Sequence, residues 1–71
     1  MEDWRLEITL YTGEIFEFKF ENLDDVYNFT RQYLRTTLSL QDIKTVIIID
    51  NCAFISLEID KYNVDNWKVI I

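Results

Sequence analysis

Side chains that could do chemistry are few in this chain. Among its 71 residues there is no histidine and a single cysteine, Cys52. Histidine is the usual base that activates a serine or cysteine nucleophile, so Ser-His-Asp hydrolysis is excluded and Cys52 lacks its common activator. One cysteine forms no intramolecular disulfide, and one cysteine without histidine argues against a zinc site. Asp24 and Asp25 are adjacent carboxylates that suggest a metal or acid–base pair. Consecutive helical residues point about 100° apart, however, and acids in a first helical turn are explained by the helix dipole. Arg31 and Arg35 are four residues apart and could grip a phosphate or carboxylate from one helix face. Without a glycine-rich loop or further basic neighbours they read first as solvated helix charges. Glu7, Glu17 and Glu21, with Glu14 between them, suggest an acidic strip that imitates phosphates, diluted by Arg5 and Lys19. No catalytic or cofactor motif is present, and the expectation is a non-enzyme that carries no cofactor.

The element that would position the arginines is residues 22–38, NLDDVYNFTRQYLRTTL. At about 100° per residue, Leu23, Val26, Tyr27, Thr30, Tyr33, Leu34, Thr37 and Leu38 fall on one arc. Asp24, Asp25, Asn28, Arg31, Gln32, Arg35 and Thr36 fill the opposite arc, and Phe29 lies at the boundary beside Tyr33. Asn22 is a suitable N-cap, and the charge order, acids first and arginines last, follows the dipole. This stretch is expected to be one amphipathic helix.

Two pairs of apolar stretches flank it. Residues 4–11, WRLEITLY, alternate Trp4, Leu6, Ile8 and Leu10 against Arg5, Glu7, Thr9 and Tyr11. Residues 15–21, IFEFKFE, alternate Phe16, Phe18 and Phe20 against charge, and the only glycine, Gly13, lies between the two. This predicts a β-hairpin. Closing it on Tyr11 and Ile15 aligns Leu10 with Phe16, Ile8 with Phe18 and Leu6 with Phe20. It also sets Arg5 opposite Glu21 and Glu7 opposite Lys19, which is favourable by roughly 0.2–1 kcal/mol per pair. Residues 39–42 form a short connection in which Ser39 could cap one further turn. Residues 45–49, TVIII, are β-branched and flanked by Lys44 and Asp50 as gatekeepers. Asp50, Asn51 and Cys52 predict a turn. Residues 53–59, AFISLEI, alternate again. In this second hairpin a two-residue loop puts Ile48 beside Ile55, whereas a three-residue loop puts Ile47 there and pairs Lys44 with Glu58. Residues 60–66 read as a polar loop, and residues 67–71, WKVII, as a fifth strand or a docking tail.

The predicted fold class is therefore α+β: a single domain over residues 1–71 with element order β-β-α-β-β, one helix packed on a mixed or antiparallel sheet, and a possible fifth strand at the C-terminus. In element order and size this resembles a β-grasp or ubiquitin-like roll. The resemblance covers architecture alone and transfers no functional residue.

Size and charge narrow the function classes. A domain this small buries roughly 60% of its unfolded surface, so a partner or self-association is an expected source of stability. The N-terminus lacks the features of a signal peptide, and no apolar run approaches the ~20 residues of a membrane span. A soluble, cytoplasmic protein is expected, without membrane contact. With 13 acidic and 7 basic residues, a net charge of −6 and no clustered lysine and arginine, direct nucleic-acid binding is disfavoured. The chain is 49% hydrophobic and 15% aromatic, more than a small core can absorb. Phe54, Tyr62 and Trp67 are thus candidate partner contacts, with Glu7, Glu17 and Glu21 as an acidic contact strip. The expected function is a protein-interaction module that self-associates, with one specific form being a small acidic antagonist of a basic nucleic-acid-handling protein, of the kind phages and mobile elements encode. The alternative is a homo-oligomeric carrier of a small anionic ligand, held by Arg31 or Arg35.

Overall fold

A computed structural model describes residues 3–37 and 39–70. Leu38 and Ile71, which close the predicted helix and the predicted last strand, lie outside the described residues, as do the first two residues of the N-terminus. Strands β1 (Trp4–Leu10) and β2 (Ile15–Phe20) precede helix α1 (Leu23–Thr36). A short 3₁₀ turn, Leu40–Asp42, leads into β3 (Ile43–Asp50), β4 (Ile55–Asp60) and β5 (Asn63–Val69). The protein is a small α+β domain. Its five strands form one sheet in the order β2-β1-β3-β4-β5, with every neighbouring pair antiparallel. The antiparallel form of the predicted sheet is the one realised. The helical crossover carries the chain from β2 to the far side of β1, so β1 becomes an interior strand, β3 lies at the centre, and β2 and β5 are the edges.

The helix begins where its cap predicts. Asn22 Oδ1 accepts from the Asp25 N–H at 2.9 Å, which satisfies one of the unpaired first-turn donors. Thr37 ends it in extended conformation, and its N–H donates to the Tyr33 carbonyl. Ser39 precedes the 3₁₀ turn, but its side chain makes no capping hydrogen bond. Val26, Thr30 and Leu34 form the buried stripe of α1 and meet Leu6, Ile8, Ile43, Val46, Ile48 and Ile59 of the sheet. Full burial of one such aliphatic side chain contributes about 1.5–3 kcal/mol. The Thr30 hydroxyl is buried at no loss, because it donates to the Val26 carbonyl at 2.7 Å. One shoulder of the helix, Phe29, packs on Phe18 and Phe20 of β2 with ring centroids 4.7 and 5.3 Å away. The other shoulder, Tyr27, packs on Trp67 of β5 at 5.4 Å. A single helix thereby reaches both edges of the sheet.

The first hairpin departs from its predicted register by two residues. Leu6 faces Phe18, Ile8 faces Phe16, Arg5 faces Lys19 and Glu7 faces Glu17. The loop is Tyr11-Thr12-Gly13: the Gly13 N–H donates to the Leu10 carbonyl, the Leu10 N–H donates to the Glu14 carbonyl, and Gly13 has φ +98°. A three-residue hairpin loop places its left-handed residue last, so the glycine dictates which three residues turn. A two-residue shift keeps every side chain on its predicted face, and the apolar face therefore survives the correction. The cost falls on the charged face, where the favourable pairs are replaced by like-charged ones. Phe16, on the apolar side of the alternation that Phe18 and Phe20 share, is nevertheless 38% exposed, on edge strand β2.

The second hairpin has neither predicted loop. Asp50 pairs with Ile55 and Ile48 with Leu57, so four residues, 51–54, form the turn. The polar stretch 60–66 is largely strand: Asp60 pairs with Asn63 around Lys61 and Tyr62, and the register then shifts so that Ile59 faces Trp67. That bulge carries Val64, Asp65 and Asn66 along the edge, where polar side chains remain in water. The fifth strand exists and begins four residues before Trp67.

Candidate functional site

The register sorts the predicted contact residues into three places. Glu7 and Glu17 lie on the sheet face opposite α1, as direct cross-strand partners. Arg5 sits with them, its Nε 3.5 Å from Glu7 Oε2 and 3.8 Å from Glu17 Oε2. That Nε is buried and makes no hydrogen bond, so it is held by charge alone. The same face carries Ile47 and Ile49, both half-buried, whose partners across β1 and β4 are Glu7, Glu58, Arg5 and Ser56. The long side chains of Arg5, Glu7 and Glu58 flank the two isoleucines. The acidic strip is partly neutralised from within. Glu21 lies apart from it, in the bend between β2 and α1.

The second place is the end of the sheet at which α1 starts. Trp4 faces both Phe20 and Asp50, and Asp50 faces Ile55. The β3–β4 turn projects here. Asp50 Oδ1 accepts from the N–H groups of Cys52 at 2.9 Å and Ala53 at 3.3 Å, and the Asn51 N–H donates to the Asp3 carbonyl at 2.9 Å. The turn ends on Phe54, which is 84% exposed and has φ +56°. A left-handed backbone is ordinary for glycine or asparagine and costs other residues roughly 1–2 kcal/mol. Here an aromatic side chain takes that position and points into water. Exposed Ile55 follows it at the start of β4, and exposed Val69 lies farther along the same end of the sheet, opposite Leu57. Asp3, Glu21, Asp24, Asp25 and Asp50 all belong to this end of the molecule. Cys52 is an exposed free thiol in the same turn. Its pKa is raised, foremost by a hydrogen bond to the Asp3 carboxylate, then by burial and by the charges of Asp3 and Asp50. A thiol held protonated is a poor nucleophile.

The third place was invisible as a unit in the sequence. Arg31 and Arg35 project from the C-terminal half of α1 toward the β4–β5 turn, and with Lys61, Tyr62, Asn63 and Asp65 they line a cleft of about 420 Å³. Leu34, Leu40 and Val64 supply its apolar part. Arg31 Nη2 donates to the Tyr27 hydroxyl at 2.6 Å and to Asp65 Oδ1 at 3.2 Å, and Tyr27 donates to the same carboxylate oxygen. These contacts, Tyr27 first, hold the Arg31 guanidinium above its already high ordinary pKa. Lys61 Nζ donates to the Ile43 carbonyl at 2.5 Å and lies between the rings of Tyr11 and Tyr62, 5.7 and 5.2 Å from their centroids. Tyr62 is well exposed, as the sequence suggested. Trp67 is not a free anchor: it is half-buried on Tyr27, and its Nε1 donates to the Val64 carbonyl at 2.5 Å. Periodicity alone carried no sign of this, because Trp67 follows the bulge.

Among the described residues no group of three or more cysteine, aspartate or glutamate side chains is placed to hold a metal ion, and no described helix is long and apolar enough to cross a membrane. No family model, curated protein or solved structure matches this chain.

Proposed function

We propose that this protein is a non-enzymatic binding module whose principal contact is Phe54 and whose partner is a protein with a basic surface. The observation that carries the reading is the conformation of Phe54: the fold bears backbone strain to hold an aromatic side chain in solvent, where it contributes little to folding. Strain of this kind is retained where surrounding structure imposes it, and such positions cluster at binding and switch sites. A phenylalanine followed by exposed Ile55, in a turn tied down by Asp50 and Asp3, has the form of an apolar hot spot with a polar rim. The carboxylates gathered at this end of the molecule favour lysine and arginine on the partner and would speed encounter. An acidic antagonist of a nucleic-acid-handling protein is the specific form that fits this charge, with Glu21 at the same end of the sheet as the proposed contact.

A photo-crosslinking phenylalanine analogue at position 54, with the same analogue at position 19 as control, tests the reading in cells that make the protein. A discrete heterologous adduct from position 54 alone supports it, and equal adducts from both positions, or none, overturn it.

Self-association is supported by a different observation. Both edge strands expose apolar side chains beside an unpaired backbone edge, Ile15 and Phe16 on β2 and Val69 and Ile70 at the end of β5. Such edges add a further strand readily. Light scattering on a sizing column, with Val69→Lys beside the wild type, separates the two readings. A dimer dissociated by that change supports edge pairing, and a monomer at every concentration removes it.

A further inference from the structure

We infer that the cleft between α1 and the β4–β5 turn is an oxyanion site, built for the phosphate group of a small molecule. Charge distribution is the first reason. The chain is strongly acidic, yet three of its seven basic residues, Arg31, Arg35 and Lys61, line this one cleft, and the only carboxylate among its lining residues is Asp65. Asp65 is already committed to Tyr27 and Arg31. Two cations at i and i+4 repel each other along a helix, and a bound anion converts that repulsion into attraction.

Preorganisation is the second reason. Trp67 packs on Tyr27, Tyr27 and Asp65 hold Arg31, and the remaining donors of the Arg31 guanidinium are left for a ligand. Lys61 is fixed by one hydrogen bond to the Ile43 carbonyl and keeps two donors. Arg35 has no ion pair or hydrogen bond among the described residues, and its long side chain can close over an anion. A hydrogen-bonded arginine, a tethered lysine and an unpaired arginine surround a cleft whose volume, about 420 Å³, falls in the size range of small-ligand sites. The net lining charge of two positive units suits a dianionic phosphate monoester better than a monocarboxylate. Tyr62, exposed at the rim, offers a flat surface for whatever carries the phosphate.

The test is a ¹H–¹⁵N titration of the full chain with inorganic phosphate, ribose 5-phosphate and adenosine monophosphate, each against sodium chloride of equal ionic strength. The expected result is saturable shifts confined to the amides of residues 31–35 and 61–65, abolished in Arg35→Gln while the rest of the spectrum is unchanged. Stacking on Tyr62 would make adenosine monophosphate bind about tenfold more tightly than ribose 5-phosphate, an advantage lost in Tyr62→Ala. Equal affinity of the two still supports the phosphate site and leaves Tyr62 outside it. Shifts that fail to saturate with all three probes, or saturable binding that persists in Arg35→Gln, overturn the inference. Neither result bears on Phe54, which lies on a different turn.

Discussion

Glu7 stands directly opposite Glu17 across β1 and β2, and the pair beside it, Arg5 with Lys19, is also like-charged. Exchanging the two β2 residues, Glu17→Lys with Lys19→Glu, conserves composition and net charge while making both pairs attractive. At roughly 0.2–1 kcal/mol per cross-strand pair, the double variant should be more stable by about 1 kcal/mol, and less so in high salt. Urea unfolding at low and high ionic strength measures this. The sign reports the register, because the alternative closure on Tyr11 and Ile15 sets Glu7 opposite Lys19 and would make the same exchange destabilising.

Gly13 is the reason the observed register prevails. Beyond Gly13 itself and its two chain neighbours, no atom lies within 4 Å of a Cβ built at this position, so a side chain there meets a backbone penalty and no clash. Gly13→Ala is expected to cost about 1 kcal/mol from its φ of +98°. Gly13→Asn should cost less, since asparagine tolerates the left-handed region. Thermal unfolding of the two variants side by side checks the order; equal losses would place the penalty elsewhere than in φ.

Phe54 gives the opposite expectation. Its side chain is mostly in solvent, and its backbone is in the region glycine prefers. Phe54→Gly should therefore raise stability by about 1 kcal/mol while abolishing the heterologous contact proposed for this turn. A gain in the unfolding midpoint together with lost partner binding is the signature of strain kept for function. Destabilisation by Phe54→Gly would mean instead that the ring packs on the fold and is no anchor.

What the sequence made legible was local. The helix start could be read because Asn22 and Asp25 are three residues apart, and the strand faces could be read because alternation survives a two-residue slip. The turns were harder. A left-handed phenylalanine leaves no compositional trace, so alternation alone places Phe54 in a strand, and Asn63, Asp65 and Asn66 conceal β5 because an edge strand with a bulge need not alternate. The cleft was half legible. The spacing of Arg31 and Arg35 placed them on one helix face, but Lys61 and Tyr62 join them only through the β4–β5 turn, some thirty residues later in the chain.

Cys52 should behave as an inert surface thiol. The Asp3 carboxylate, which accepts its hydrogen bond, and the charge of Asp50 oppose formation of a thiolate, so its pKa lies above the ordinary thiol value. Alkylation by iodoacetamide should rise with pH later than for an unstructured cysteine peptide, and Asp3→Asn should move the midpoint back down. A midpoint unmoved by Asp3→Asn would remove the carboxylate as the cause.

Trp67 decides whether the β5 edge is core or contact surface. It faces Ile59 of β4, packs at a tilt on Tyr27 and closes a hydrogen bond to the Val64 carbonyl that braces the bulge. Truncation of a fully buried tryptophan costs 3–5 kcal/mol, and this one is half-buried, so Trp67→Ala is expected to cost roughly 2 kcal/mol. Trp67→Phe keeps the ring contact but loses the indole N–H, and should cost about 1 kcal/mol. Because Tyr27 positions Arg31, the alanine variant should also weaken phosphate binding at the cleft, under conditions where it remains folded, and the phenylalanine variant should do so less. Urea unfolding followed by the remaining Trp4 fluorescence gives the first quantity, and the phosphate titration gives the second. Full stability in Trp67→Ala would return this side chain to the list of partner contacts and leave Tyr27 to hold Arg31 without help from β5.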